Sequence, residues 1–322
     1  MLRALWVAWL FSMALSSLGP GAAWAQKFPT KPIRLVTSGA GGGTDFVARL
    51  IAHGVSESLG QRIIVDNRPS GVIPGEIVSQ ATPDGYTLLL ATGILWLLPY
   101  LQDNVPYDPV KDFSTVTLAV SSPNILTVTK SLPAKSVKEL IALAKAKPAA
   151  YNYAVTSIGG GAHLAAELFM SMAGVNMLRV PYKSGGTAIT ELISGQVHLY
   201  FVSAGSVVPH IKAGRLRALA VTSAKPSAQF PALPPIAATL PGYEYVTVYG
   251  VFAPARTPAA RINLLQKAIA RAINTPDIKA RFLASAVEPV GSTREALSAF
   301  RQSEMLRMGK IIRDTIRNPI RP

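Results

Sequence analysis

The sequence predicts an α/β protein of two lobes, and three observations carry that expectation. Short apolar runs of strand type alternate with amphipathic helix-type stretches through most of the chain. Loops rich in glycine and hydroxyl side chains recur where a strand run passes into a helix run, at 38–45, 157–161 and 183–186. A strand run at 245–252 then leads back toward the first half, and only helical patterns follow it, at 259–274, 277–284 and 293–317. A chain that crosses between lobes near Ser121 and again near Tyr245 has a hinge, the usual device for closing two lobes on a ligand. The expected lobes are 26–122 together with 246–322, and 123–245.

The segment before the first lobe reads as an export signal. Arg3 supplies a positive start, 4–18 is almost wholly apolar, and Ala23-Trp24-Ala25 ends the segment with a small-x-small site, so cleavage is expected after Ala25. The apolar run is too short, and too soon followed by Gly19-Pro20-Gly21, for a membrane span. About 300 residues remain, more than one hydrophobic core usually organises. The chain has no cysteine, so an exported protein of this size relies on packing rather than disulfides, as suits a bacterial periplasm.

The elements follow in order. The run 33–36 is a buried strand and 46–55 a helix, joined by Ser38-Gly39-Ala40-Gly41-Gly42-Gly43-Thr44-Asp45. Thr44 reads as the N-cap of that helix, and free amides at its start form an anion site or simply a tight turn. Asp45 reads as a partner of the helix dipole or of a ligand amine or hydroxyl. A second strand at 63–65 closes a right-handed parallel βαβ unit, and the Asn67-to-Gly71 loop breaks it. A short helix at 75–80 leads to a third strand at 86–91 and the Thr92-Gly93 turn, with Trp96 in the loop beyond. Ligands of open parallel sheets bind at the carboxyl ends of strands, where Ser38 and Thr92 fall.

Strands at 115–119 and 125–129 flank Pro123, and a helix opens at Ser136 with Glu139 as its capping-box partner. Three units follow: strand 152–156, glycine loop and helix 162–173 closed by Gly174; strand 178–182, loop 183–186 and helix 187–194 closed by Gly195; strand 197–202, loop 203–206 and helix 207–213 closed by Gly214. A strand at 216–222 ends the run, and Thr257 and Pro258 open the first of the terminal helices.

Several function classes are excluded by what the pattern lacks. The net charge of +15 comes from scattered basic residues, dense only at 307–321, which favours anionic small ligands over nucleic acid. Thr44 breaks a GxGxxG begun at Gly39, and no GxxxxGK[ST] occurs. Four histidines without HExxH spacing or cysteine partners give no metal site, and no GxSxG elbow presents a nucleophile. No catalytic residue and no cofactor are expected.

Ordered segments carry a resemblance. KPIRLV at 31–36, AGGGTDFVARL at 40–50, DNRP at 66–69, PDGYTLLL at 83–90, PYDPVKDF at 106–113, GGGAHLAAELF at 159–169, VPYKSGGTAITELISGQV at 180–197 and PHIKAGRLRALAVTSAK at 209–225 resemble the Bug family. These are the periplasmic solute-binding proteins of tripartite tricarboxylate transporters. The resemblance implies a periplasmic-binding-protein fold of the type II, Venus flytrap kind. It implies a small carboxylate held between the lobes and delivered to membrane permease subunits by a monomer. Carried over residue by residue, the site is Ala40, Gly41, Gly42, Thr44 and Asp45 in one lobe and Ser157, His163, Tyr182 and Lys183 in the other.

The chain departs from the family pattern within the pocket. Thr37 and Ser38 stand where a Pro and an aromatic are usual, Val202 stands where an acid is frequent, just before Ser203, and Trp96 replaces a small polar residue. These changes predict a ligand without an ammonium, whose apolar or aromatic body stacks near Trp96. The competing functions are a sensor that feeds a receptor and a secreted hydrolase.

Overall fold

The computed structural model describes residues 28–313 apart from Gly42, Ser70, Ser157 and Ala228. The expected signal segment and its cleavage point lie outside the described residues, as do the site candidates Gly42 and Ser157. The first half is built from β1 (Ile33–Ser38), α1 (Gly43–Leu59), β2 (Ile63–Arg68), α2 (Ile73–Ser79), β3 (Thr87–Ala91) and α3 (Ile94–Leu101). β1 pairs in parallel with both β2 and β3, as a βαβ unit requires. Strand alternation divides the apolar side chains: Ile33, Leu35, Leu88 and Leu90 face α1 and the C-terminal helices, whereas Val36 and Leu89 face α3.

α3 is a helix where the sequence suggests a loop. Its run Ile-Leu-Trp-Leu-Leu-Pro-Tyr-Leu is apolar all round, the mark of a buried helix, and has no amphipathic period to betray it. α1 also starts earlier than expected, at Gly43, so Thr44 lies in its first turn instead of capping it. The loop is closed by Asp45, whose carboxylate accepts the Gly41 N–H at 2.9 Å.

The next strand, β4 (Phe113–Thr129), is one continuous element where the sequence suggested two strands split by Pro123. Up to Pro123 it pairs with β9 (Val246–Pro254), and from Asn124 onward with β7 (Leu199–Ser203). Pro123 thus stands where one partner gives way to another, the place at which a missing N–H costs the ladder least. The second half adds α4 (Val137–Ala146), β5 (Asn152–Val155), α5 (Gly161–Ala173), β6 (Leu178–Pro181), α6 (Gly185–Ser194), α7 (Ala204–Lys212) and β8 (Leu216–Val221). The end of β4 pairs with β8 as well.

The strand order is β2-β1-β3-β9-β4-β7-β5-β6, with β8 and β10 (Glu288–Pro289) paired to β4 off that path. Three helices, α8 (Ala259–Ala272), α9 (Pro276–Ala284) and α10 (Arg294–Ile311), complete the described chain. α8 opens one residue later than expected, with Pro258 at its cap position.

The resulting two-lobed α/β fold has a sheet whose halves share one apolar cluster. Leu89, Trp96, Leu126, Tyr153, Phe169, Phe201 and Phe252 all belong to it, so the core is continuous across the middle of the molecule. The opposite faces carry separate cores, under α1 and α8 in the first half and under α6 and α7 in the second. The expected caps are present at Ser136, which accepts the Glu139 N–H at 3.2 Å, and at Gly174 and Gly195, both left-handed. Among the described residues, no helix is long and apolar enough to cross a membrane.

Candidate functional site

Parallel pairing brings the chemistry-bearing loops to two edges. In the first half, the carboxyl ends of β1, β2 and β3 present Ser38, Arg68 and Thr92 together. In the second half, β5, β6 and β7 run parallel, so the loop ending at Gly160, Tyr182 and Lys183, and Ser203 share one edge.

The loop after β1 is held by its own acid. The Asp45 carboxylate accepts the Gly41 N–H, Arg49 Nε at 3.0 Å and Asn67 Nδ2 at 3.0 Å. Asn67 also donates to the Ser38 carbonyl at 2.9 Å, which ties the end of β1 to the end of β2. The Arg49 bond is the main cause that holds the Asp45 carboxyl below its ordinary range, against the opposing cost of burial. These contacts are those of a loop clamp, a role beside the two that the sequence suggests for Asp45. Gly41 takes φ +80°, a conformation that L side chains rarely adopt.

The facing loop has a second clamp. The Gly159 N–H donates to His163 Nδ1 at 3.0 Å, so a neutral imidazole carries its proton on Nε2. Nε2 lies 3.3 Å from Glu167 Oε1 and 3.1 Å from Arg179, and the Tyr153 hydroxyl donates to Glu167 Oε1 at 2.6 Å. His163 has no exposed surface. Its expected place in the ligand shell is therefore corrected: it is a buried support behind the loop, because α5 sets it against Glu167 and Arg179 of β6.

Two further expectations are corrected by burial. Trp96 is fully buried on α3, its indole N–H donates to Glu304 Oε2 at 3.2 Å, and its ring packs at 6.0 Å from Phe252. It has no free face on which a ligand could stack. Val202 is likewise buried, in the cluster beneath α6 and α7, because its position in β7 points away from the edge. Ser203 is exposed, with its hydroxyl 3.0 Å from that of Ser206, and Lys183 is exposed beside the half-buried Tyr182. Ala40 and Gly41 are exposed and Thr44 is half-buried.

A cavity of about 380 Å³ lies where the halves meet, within the usual size of small-molecule sites. Ser38 and Thr92 line it at the strand ends, and they are the members of the expected set that it gathers. α2 contributes Pro74 and Gly75, α3 contributes Ile94, Leu95 and Leu98, and the opposite half contributes Ile158 and Gly160. Gln102 and Tyr107 complete the wall beyond α3. An added Cβ on Gly75 would lie 2.5 Å from the Tyr107 ring, so only glycine permits that packing. Among the described residues, no Asp, Glu, Lys, Arg or His lines the cavity, and no cluster of metal-ligating side chains occurs. Sequence reasoning missed the α2 and α3 walls, Gln102 and Tyr107; the apolar run 94–101 was the available signal.

Comparison with known proteins agrees with the fold. A family model described as "Tripartite tricarboxylate transporter family receptor" matches residues 47–316. Protein BugT of Bordetella pertussis is 33% identical over 299 residues, covering 90% of this chain and 91% of its own. The solved structure of R. palustris Rpa4515 with adipate is 35% identical, with a TM-score of 0.79 over 89% of this chain and 97% of that one. MatC from Rhodopseudomonas palustris with bound malate is 27% identical, with a TM-score of 0.76 over 88% and 100%.

Proposed function

The chain belongs to the tripartite tricarboxylate transporter receptor family, whose members are periplasmic substrate-binding proteins rather than enzymes, and on that premise we propose its role. It captures a small organic carboxylate between its halves and delivers it to the membrane permease subunits of a tripartite tricarboxylate-type transporter. The observation that carries this reading is the cavity itself, which takes walls from both halves of the sheet and, among the described residues, is lined by no Asp, Glu, Lys, Arg or His.

Several features support the remaining parts of the reading. Backbone amides at the starts of α1 and α5 suit a carboxylate, since helix N-termini carry unpaired N–H groups and positive potential. The lobes are 26–122 with 246–322, and 123–245, which turn about the two crossing strands β4 and β9. Residues 1–25 form the signal that exports the protein to the periplasm, where it acts as a monomer. Expression in a bacterial host tests the export signal, since the exported protein should begin at Gln26.

A thermal-shift screen of mono-, di- and tricarboxylates tests binding. A ligand at a hundredfold over its dissociation constant stabilises by about 2.7 kcal/mol, and it should be recovered unchanged. Turnover of the hit would refute the reading, as would small-angle scattering that shows no compaction on saturation.

A further inference from the structure

β9 carries two hydroxyls that the protein itself does not use, and they meet the starts of helices from opposite halves. A Cβ built on Gly43, the first residue of α1, would lie 2.9 Å from the Tyr249 hydroxyl. One built on Gly161, the first residue of α5, would lie 2.7 Å from Thr247 Oγ1. Glycine at each helix start thus leaves room beside a hydroxyl. Thr247 and Tyr249 are two positions apart, about 7 Å along an extended strand, so one strand reaches both helix starts. The cavity borders the same place, since Ser38 and Gly160 in its wall precede the two helices.

Tyr249 is only 8% exposed, yet among the described residues its hydroxyl has no hydrogen-bond partner. Nor is it sealed: among the described residues, the side-chain polar atoms that lack both partner and solvent are His210 Nδ1, Gln229 Nε2 and Arg301 Nε. Burial pushes the Tyr249 hydroxyl up to about 12, so at neutral pH it keeps its proton and can donate. Thr247 is half-buried, and its hydroxyl is likewise unpartnered among the described residues. A largely buried donor costs free energy until something accepts from it.

The surroundings call for a negative acceptor. α1 and α5 are helices of 17 and 13 residues, whose first amides have no partner within the helix and whose potential there is positive. No side chain caps α5, and no acid lies in its first turn. Asp45, the acid in the first turn of α1, is already met by Gly41, Arg49 and Asn67.

We propose that β9 completes the carboxylate site, with the Tyr249 hydroxyl donating to the ligand carboxylate at the start of α1 and the Thr247 hydroxyl donating to it from the start of α5. This assignment rests on the binding reading above and names side chains that read the anion. Neutral hydroxyls and backbone amides together hold a carboxylate beside a cavity that, among the described residues, no Lys, Arg or His lines.

Calorimetry of the exported protein with hexanoate, adipate and citrate tests this. Tyr249→Phe keeps the ring, and it should weaken each probe that binds by about fivefold or more. Because the hydroxyl has no partner in the protein, the urea-unfolding midpoint of ligand-free Tyr249→Phe should stay unchanged or rise. Thr247→Val keeps the shape of the side chain and should weaken the same probes by about threefold or more, whereas Thr247→Ser should stay within about twofold. Affinity within twofold of the natural protein in either Tyr249→Phe or Thr247→Val would overturn the inference while leaving the binding reading intact. A loss of affinity in Tyr249→Phe that comes with a lower urea midpoint would place its hydroxyl in the packing and overturn the inference as well. Failure of these probes and of every other mono-, di- and tricarboxylate to bind the natural protein would overturn both readings together.

Discussion

Gly159 couples the two halves, and substituting it separates closure from folding. It has φ +75°, and a Cβ built on it would overlap Leu101 Cδ1 and sit 3.2 Å from Ile94 Cδ1, both on α3 of the opposite half. Gly159→Ala therefore carries two costs of different kind. A left-handed backbone at an alanine costs roughly 1 to 2 kcal/mol whether the halves are together or apart, so it lowers the stability of the ligand-free protein. The overlap exists only when the halves meet. Displacing Leu101 from its rotamer or backing the loop away costs about 1 to 2 kcal/mol, which weakens ligand binding by ~5- to ~30-fold. Urea unfolding reads the first cost and calorimetry with the tightest-binding carboxylate reads the second. Gly159→Asn should keep the affinity loss with a smaller stability loss, because Asn tolerates the left-handed region. Leu101→Ala in the Gly159→Ala background removes the overlapped atom and should restore most of the affinity. Affinity within twofold of the natural protein in Gly159→Ala would refute the closure argument.

Trp96→Phe keeps the aromatic packing against Phe252 but leaves the buried Glu304 carboxylate without the indole N–H, and should cost about 1 to 3 kcal/mol of stability in urea unfolding. Ligand affinity should stay within threefold, and a larger change would return Trp96 to the ligand shell. Burial is the first cause that raises the Glu304 pKa, opposed by Arg307 and the Trp96 bond and assisted by Glu244. A carboxyl raised in the folded state binds its proton more tightly there than when unfolded, so its contribution falls as pH rises from about 4.3 through the raised value. The stability of Glu304→Gln relative to the natural protein should therefore increase across that window, and a difference independent of pH would refute this.

The order of elements was legible because strands and helices of the two βαβ runs advertise themselves by period and by glycine at their ends. Ser136, Gly174 and Gly195 stand where the sequence put them. What failed were elements whose local pattern is set by burial on every side. α3 has no polar face, so its eight residues read as a loop, and with it went one whole wall of the cavity. β4 was cut at Pro123 because a proline in a strand signals an end, and only the change of partner from Val246 to the β7 side explains why it passes through. Both errors are tertiary: neighbours remove the cost that local chemistry assigns.

The site was less legible than the fold for a related reason. Asp45 and His163 lie in the first turns of the helices that follow the glycine loops, and the family resemblance makes them ligand contacts. Each accepts a glycine amide of the preceding loop, Gly41 and Gly159 respectively, and meets neighbouring side chains with the rest of its polar atoms. These polar side chains thus fix the backbone, and the backbone is left to meet the ligand with the apolar walls and the hydroxyls of β9. In such a division of labour, a substitution at the aliphatic wall changes which ligand fits, whereas one at a clamp changes whether the loop holds its shape. The departures at Val202 and Trp96 lie beneath the surface, so they bear on packing. Ser38 is the departure that lines the cavity, so it is the one whose change from an aromatic alters the space there.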